Sequence, residues 1–258
     1  MAAARAAGGR FLLRLEDIDT VRCRPAFETA LLDDLAWLGL TWETPVRRQS
    51  EHLGDYRAAL RRLRARGLVY RCFKTRKDIL GDIARAPHRS TVAPVGGPLP
   101  AVEEAALLAA GRPYAWRLSL DAAARALGGF DGLEFIEEGA GPDGERGRIV
   151  ARPGIGGDVI LARKDLGVAY HLAVVVDDAA QGVSHVIRGE DLFGAAHVQR
   201  LLQALLDLPT PIYRHHCLLM RPDGKRFAKR DTAETVRDLR ANGVGAAALR
   251  AQLGFADI

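Results

Sequence analysis

Residues 170–193 read YHLAVVVDDAAQGVSHVIRGEDLF, the best-patterned stretch of the chain. Ala169 to Val176 and Val183 to Arg188 are dense in β-branched and apolar residues, so both read as strands. Asp158 to Arg163, just before them, reads the same way. Residues 194–206 then read as a helix and Ile212 to Met220 as another buried strand. An Asp223-Gly224 turn and two short helices, near 232–241 and 244–253, follow. Strands alternating with helices predict an α/β sheet.

Towards the N-terminus the same alternation holds. Residues 10–15, GRFLLR, form a short apolar run after Gly8-Gly9 and read as a strand. Residues 24–39 read as a helix, with Pro25 in its first turn, Gly39 as its stop and an apolar stripe of Phe27, Leu31, Leu32, Leu35 and Leu38. A second amphipathic helix covers 51–66, turning Leu53, Tyr56, Leu60 and Leu63 inward, with Gly67 ending it. Leu68 to Phe73 is the next expected strand. Residues 86–100, APHRSTVAPVGGPLP, have loop composition. A helix at 101–110 and a strand from Tyr114 to Leu118 follow, and glycine-rich 138–157 reads as an irregular connection.

The bulk numbers bound the class. A chain of 258 residues, 48% hydrophobic and 27% charged, suffices for one large α/β domain or a domain with a small insertion. No run approaches the roughly 18 apolar residues of a membrane span, and the alanine-rich start lacks the apolar core of a signal peptide. Cys23, Cys72 and Cys217 form no CxxC pair, as in a reducing compartment. A cytoplasmic protein and a monomer are expected. The net charge of +5 is gathered partly in Arg57, Arg61, Arg62, Arg64, Arg66, Arg71, Lys74, Arg76 and Lys77. That cluster is compatible with a polyanionic partner, but a solvated arginine-rich helix face is the commoner origin of such a pattern.

Chemistry is concentrated first in Arg14-Leu-Glu16-Asp17-Ile-Asp19-Thr-Val-Arg22, at the C-terminal end of the first strand, where ligands of open α/β sheets bind. By pattern alone the segment is a cap and salt-bridge network for the next helix, with Asp19 or Thr20 as natural caps. RLEDIDTVR also resembles a motif of the glutamyl-tRNA synthetases, a class I family. The 170–193 run resembles a second motif of that family, and Lys225-Arg-Phe-Ala-Lys229 its KMSKS loop. The three occur in the family's order and span most of the chain. The resemblance implies a Rossmann-like parallel sheet in two parts, 1–70 and 158–258, around an inserted acceptor-binding-like subdomain at 71–157.

The resemblance also implies roles. Glu16 pairs with the α-ammonium of L-glutamate, Arg188 clamps its side-chain carboxylate through a planar fork, and Tyr170 adds a hydroxyl contact. Lys229 and Lys225 meet the charge that develops as ATP, carried with Mg2+, is attacked, and Asp191 faces the ATP ribose. Without the family, Arg188 reads as an interstrand salt bridge, Tyr170 as a core aromatic and Asp191 as a cap for the helix near Gly194.

Three departures stand out. Residues 1–9 leave no room upstream of the first strand for the family's HIGH-like segment, as expected of a late-read start or a fragment. Ala228 replaces the KMSKS serine. Cys72-Phe-Lys74 keeps one cysteine of a zinc-binding CxC and replaces the other, leaving His88 as the nearest further ligand, so no zinc is expected. The short C-terminal end and phrases such as HLAVVVDDAAQGV resemble the subgroup that activates glutamate without tRNA and transfers it to queuosine in the anticodon of tRNA(Asp). A fragment of a tRNA(Glu)-charging synthetase and a non-catalytic tRNA-binding relic are the alternatives.

Overall fold

The computed structural model describes residues 1–19, 23–75, 78, 97–163, 167–220 and 235–255. The chain divides into two compact units, Met1–His52 with Leu219–Ile258, and Leu53–Leu218.

The first unit opens with helix α1 (Ala2–Ala6) and strand β1 (Arg14–Leu15). Helix α2 (Pro25–Trp37) follows, then strand β2 (Arg47–Arg48), which pairs parallel with β1. Gly39 sits in the left-handed region at φ 77° and ends the α2 segment, as expected. One sequence expectation fails here. Arg24, not Asp19 or Thr20, holds the N-cap position of α2, and it gives no side-chain cap. No residue of α2, its apolar stripe included, is buried, and Phe27 is 63% exposed. Two strands of two residues each offer too little apolar area to cover a helix of this length. Asp17 caps a later element. It accepts from the Ser50 backbone N–H at 2.8 Å and the Ser50 hydroxyl at 2.7 Å, at the head of a 3₁₀ turn (Gln49–His52).

The second unit carries the core. It begins with helix α3 (Leu53–Ala65) and strand β3 (Val69–Cys72). Helix α4 (Ala101–Ala109), strand β4 (Ala115–Leu118), helix α5 (Leu120–Leu127) and strands β5 (Glu134–Glu137), β6 (Gly147–Val150) and β7 (Ile160–Arg163) follow. Helix α6 (Tyr170–Ala180), strand β8 (His185–Gly189), helix α7 (Phe193–Leu206) and strand β9 (Ile212–His216) complete it. In the first unit the chain resumes with helices α8 (Val236–Ala241) and α9 (Ala246–Gln252). There Arg250 of α9 donates to the Leu38 carbonyl at 2.9 Å, tying the last helix to the end of α2.

Two sheets form in the second unit. One is antiparallel, in the order β3-β4-β7; the other is mixed, β6-β5-β9-β8, with β5, β9 and β8 mutually parallel. The strand expected over Ala169–Val176 is helix α6. A continuous apolar run does not separate a buried helix from a buried strand. Here Leu172, Ala173, Val174 and Val175 are all buried as the helix packs against α3, α7 and β7, and that packing outweighs the β-propensity of its valines. The stretch 138–157 holds β6 and a 3₁₀ turn (Pro153–Gly156) rather than an irregular connection alone. The fourth expected strand in this part ends at His216, short of Met220.

Helix α3 locks this core from one side. Tyr56 is fully buried, and its hydroxyl donates to the carboxylate of equally buried Asp177 on α6, with oxygens at 2.8 and 2.9 Å. Arg62 and Arg66 reach across to the carbonyls of Leu206 and Leu205, at the C-terminal end of α7. Cationic donors at that end satisfy carbonyls that have no partner within the helix.

Candidate active site

Three parallel strands end side by side at one edge of the mixed sheet, and each delivers one polar side chain. Arg188 on β8 is the register partner of His215 on β9, while Glu137 closes β5 on the other side of β9. Residues just beyond the carboxyl ends of parallel strands are where α/β folds place their chemistry.

Arg188 is half-buried and held on several sides. Its Nε–H donates to His215 Nε2 at 3.0 Å, and Nη1 donates to Gln199 Oε1 at 2.9 Å and to the Tyr170 hydroxyl at 3.3 Å. Nη2 donates to the Leu192 carbonyl at 3.1 Å, and the guanidinium carbon lies 5.1 Å from the centre of the Tyr213 ring. Every one of these partners is neutral. Among the described residues no carboxylate pairs with Arg188, so the interstrand salt bridge is not formed. Tyr170 opens α6, with its hydroxyl at the fork.

His215 is 2% exposed and Glu137 1%. Glu137 Oε2 lies 2.5 Å from His215 Nδ1, while Glu137 Oε1 accepts the backbone N–H groups of His215 and Gly139, each at 2.8 Å. Gly139 is required there: a Cβ would lie 2.0 Å from the His215 carbonyl oxygen. Burial, reinforced by the Arg188 charge and opposed by the Glu137 hydrogen bond, holds the His215 imidazole below its ordinary pKa. Burial pushes the Tyr213 phenol up to about 12, and its oxygen accepts from Gln203 Nε2 at 3.0 Å.

Next to Arg188 itself, Gln199 Nε2 and His171 Nδ1 are buried with no hydrogen-bond partner among the described residues, as is Gln203 Oε1 behind Tyr213. Buried polar atoms without a partner are uncommon in folded proteins, and the first two leave hydrogen-bonding capacity beside the Arg188 fork. His171 follows Tyr170 on α6. Burial first, and the Arg188 charge second, lower its pKa to about 4. The unfolded chain therefore binds a proton at this residue between about pH 6.5 and pH 4 that the folded chain refuses, and stability drops as pH falls through that window. The full effect approaches about 3 kcal/mol. Urea midpoints across that range should fall less steeply for His171→Phe than for the parent; parallel curves would remove His171 as the cause.

The remaining expected residues are placed as follows. Asp191 lies in a short 3₁₀ turn (Glu190–Leu192) and does not cap α7, whose N-cap position is Leu192 without a side-chain cap. Its carboxylate instead folds over Gly189, where a Cβ would come within 2.7 Å of Oδ1. Glu16 belongs to the first unit; it is exposed there and lies 3.4 Å from Arg14 Nη2. Lys225 and Lys229 lie outside the described residues, as does His88. Cys72 is buried on β3, and no group of three metal-ligating side chains occurs among the described residues. Nor is any helix among them long and apolar enough to cross a membrane. Sequence reasoning missed His215, Glu137, Gln199 and His171. The only signal for the first was its place in a strand alternating buried and exposed residues, and β5, which carries Glu137, was not foreseen at all.

The family model for tRNA synthetases class I (E and Q), catalytic domain, matches residues 1–124 and 137–254. The chain belongs to this family. It is 48% identical to the glutamyl-Q tRNA(Asp) synthetase of Rhodobacter capsulatus, over 98% of this chain and 90% of that relative. It is 43% identical to the protein of the same name from Nocardia farcinica, over 91% of this chain and 70% of that one. Among solved structures it resembles the glutamate-tRNA synthetase of Elizabethkingia anophelis, with a TM-score of 0.68 and 25% identity over 88% of this chain. The chain spans about half the length of that solved synthetase, 47% of it. The α/β fold is that of the class I catalytic domain.

Proposed function

We propose that this chain activates L-glutamate with ATP and transfers the glutamyl group to the queuosine base in the anticodon of tRNA(Asp). One observation carries the reading: Arg188 is a half-buried cation at the C-terminal edge of three parallel strands, held only by neutral partners. A cation removed from water calls for an anion. Four of the five guanidinium N–H groups are engaged, and the longest contact, to Tyr170, is the easiest to surrender. A side-chain carboxylate that takes the remaining Nη2 hydrogen and displaces Tyr170 from Nη1 is gripped by both nitrogens. The displaced Tyr170 hydroxyl and the orphan Gln199 amide then donate to the same ligand. The names of the Rhodobacter and Nocardia relatives support the choice of acceptor.

In this reading Glu16 takes the α-ammonium. The substrate α-carboxylate attacks the α-phosphorus of Mg2+-bound ATP, forming the glutamyl–phosphate bond as pyrophosphate leaves. Lys229, with Lys225, neutralises the charge that builds on the phosphate oxygens, and Asp191 holds the ribose. The acceptor on the base then attacks the activated carbonyl, and AMP departs. Strands β5 and β6 of the inserted segment 71–157 belong to the same sheet as β8 and β9 of 158–258, so that part of the insertion serves the catalytic body. The unpaired state of Cys23, Cys72 and Cys217 suits a reducing cytoplasm.

The test is glutamate-dependent ATP–pyrophosphate exchange without tRNA, run on this chain and on the whole reading frame that encodes it. Exchange without tRNA in either, followed by glutamyl transfer to tRNA(Asp) bearing queuosine and not to tRNA lacking it, is the expected result. Exchange that starts only on addition of tRNA(Glu) overturns the reading in favour of a charging synthetase. No exchange under any condition leaves RNA binding as the activity.

A further inference from the structure

We propose that His215, held in one tautomer by Glu137, is a positioning residue that sets the rotation of the Arg188 guanidinium and so presents its two terminal nitrogens to a carboxylate. The inference rests on the reading of Arg188 as the clamp for the glutamate side chain.

The logic is one of donors and acceptors. Nε of a guanidinium can only donate, so His215 Nε2, 3.0 Å away, must present a lone pair. A neutral imidazole with a lone pair at Nε2 carries its proton at Nδ1, and that proton needs an acceptor. Glu137 Oε2 is that acceptor, 2.5 Å from Nδ1. Glu137 cannot swing away, because its other oxygen is fixed by the backbone N–H groups of Gly139 and His215. The imidazole is fixed too, stacked on Tyr213 with 8° between planes and 6.0 Å between centroids, with the Phe193 ring at its side. With Nε anchored to this rigid pair, the fork turns Nη1 and Nη2 towards Tyr170, Gln199 and Leu192. The hydrogen bond made by one ring nitrogen of an imidazole sets the tautomer and so the role of the other, and a carboxylate is a common partner for this.

Glu137→Gln separates this role from a structural one. The glutamine keeps an oxygen for the two backbone N–H groups, so the strand ends remain tied, but it places an NH₂ against Nδ1. His215 then accepts at Nδ1, carries its proton at Nε2 and meets the Nε–H of Arg188 donor to donor. The expected results are a switch of His215 from the Nδ1–H to the Nε2–H tautomer in ¹⁵N-resolved NMR and loss of the slowly exchanging Arg188 Nε–H signal. The glutamate KM in pyrophosphate exchange, measured on the protein from its whole reading frame, should rise about 10- to 100-fold, the usual weight of one charge-assisted hydrogen bond. The KM for ATP and the unfolding midpoint should change little. As a second pair, His215→Gln keeps an acceptor near the Nε2 position and should retain a near-parental glutamate KM, whereas His215→Met lacks one and should resemble Glu137→Gln. An unchanged glutamate KM in Glu137→Gln and His215→Met overturns the proposal, as does an unswitched tautomer with Arg188 Nε–H still protected. If Arg188→Ala itself leaves glutamate binding intact, it is the clamp reading that fails; if that variant loses glutamate while the His215 and Glu137 variants keep it, only the positioning role fails.

Discussion

Arg188→Ala is expected to fold and to lose glutamate activation, with kcat/KM for glutamate down on the order of 10³-fold or more. The removed group is the only cation that the described residues place against Tyr170, Gln199 and His215 together. Without it a substrate carboxylate enters a half-buried site lined by neutral groups and pays its desolvation with no counter-charge. Arg188→Lys should rescue little, because an ammonium cannot reach His215, Gln199 and Leu192 at once and still meet two carboxylate oxygens. The measurement is pyrophosphate exchange against glutamate concentration, with ATP saturating. Near-parental kinetics in the alanine variant would withdraw the clamp assignment.

The largest loss of stability from a single substitution at neutral pH is expected where α3 meets α6. Tyr56→Phe removes the hydroxyl that donates to both oxygens of Asp177, a carboxylate with no solvent exposure. The loss should be about 2–3 kcal/mol, the weight of a hydrogen bond to a buried charge plus the partial orphaning of its acceptor. Urea unfolding should show a lower midpoint at an unchanged slope. Asp177→Asn should do less harm, since the amide oxygen still accepts from Tyr56 and no charge remains to be compensated. A Tyr56→Phe midpoint within error of the parent would mean that the carboxylate is carried by its other contacts. The pair of aspartates in the VVDD run thus serves, at Asp177, to pin α6 to α3.

Much of this was readable from the chain. Helix α3 was legible because its apolar residues recur at helical spacing and Gly67 stops it; Tyr56, Leu60 and Leu63 are buried as that spacing requires. Arg188 and Tyr170 were found through motif likeness, and the structure brings them together at 3.3 Å. What failed did so for identifiable reasons. Helix α6 was misread because a run buried on several sides has no polar face to reveal its period. Helix α5 was passed over although Ser119 caps it through the Ala122 N–H and Gly128 closes it in the left-handed region, both local signals visible in SLDAAARALGG. Glu137 and His215 were invisible for a deeper reason: their roles exist only across strands that lie far apart in the chain, and no local pattern encodes which strands will be neighbours.

The arginines of α3 change the arithmetic of any encounter with RNA. Composition suggests a dense cationic face over residues 57–77, but the fold has already spoken for several of those charges. Arg62 and Arg66 close the carbonyl end of α7, Arg71 is paired with Glu104, and Arg64 and Arg71 lie over the Trp116 ring at 4.3 and 4.7 Å. Counterions are displaced from a polyanion only by charges that reach its phosphates, at roughly 0.9 of an ion per contact on a duplex. A polynucleotide meeting this face therefore releases fewer ions than the arginine count implies, and its hold weakens less with added salt than a chain of this composition would otherwise lead one to expect.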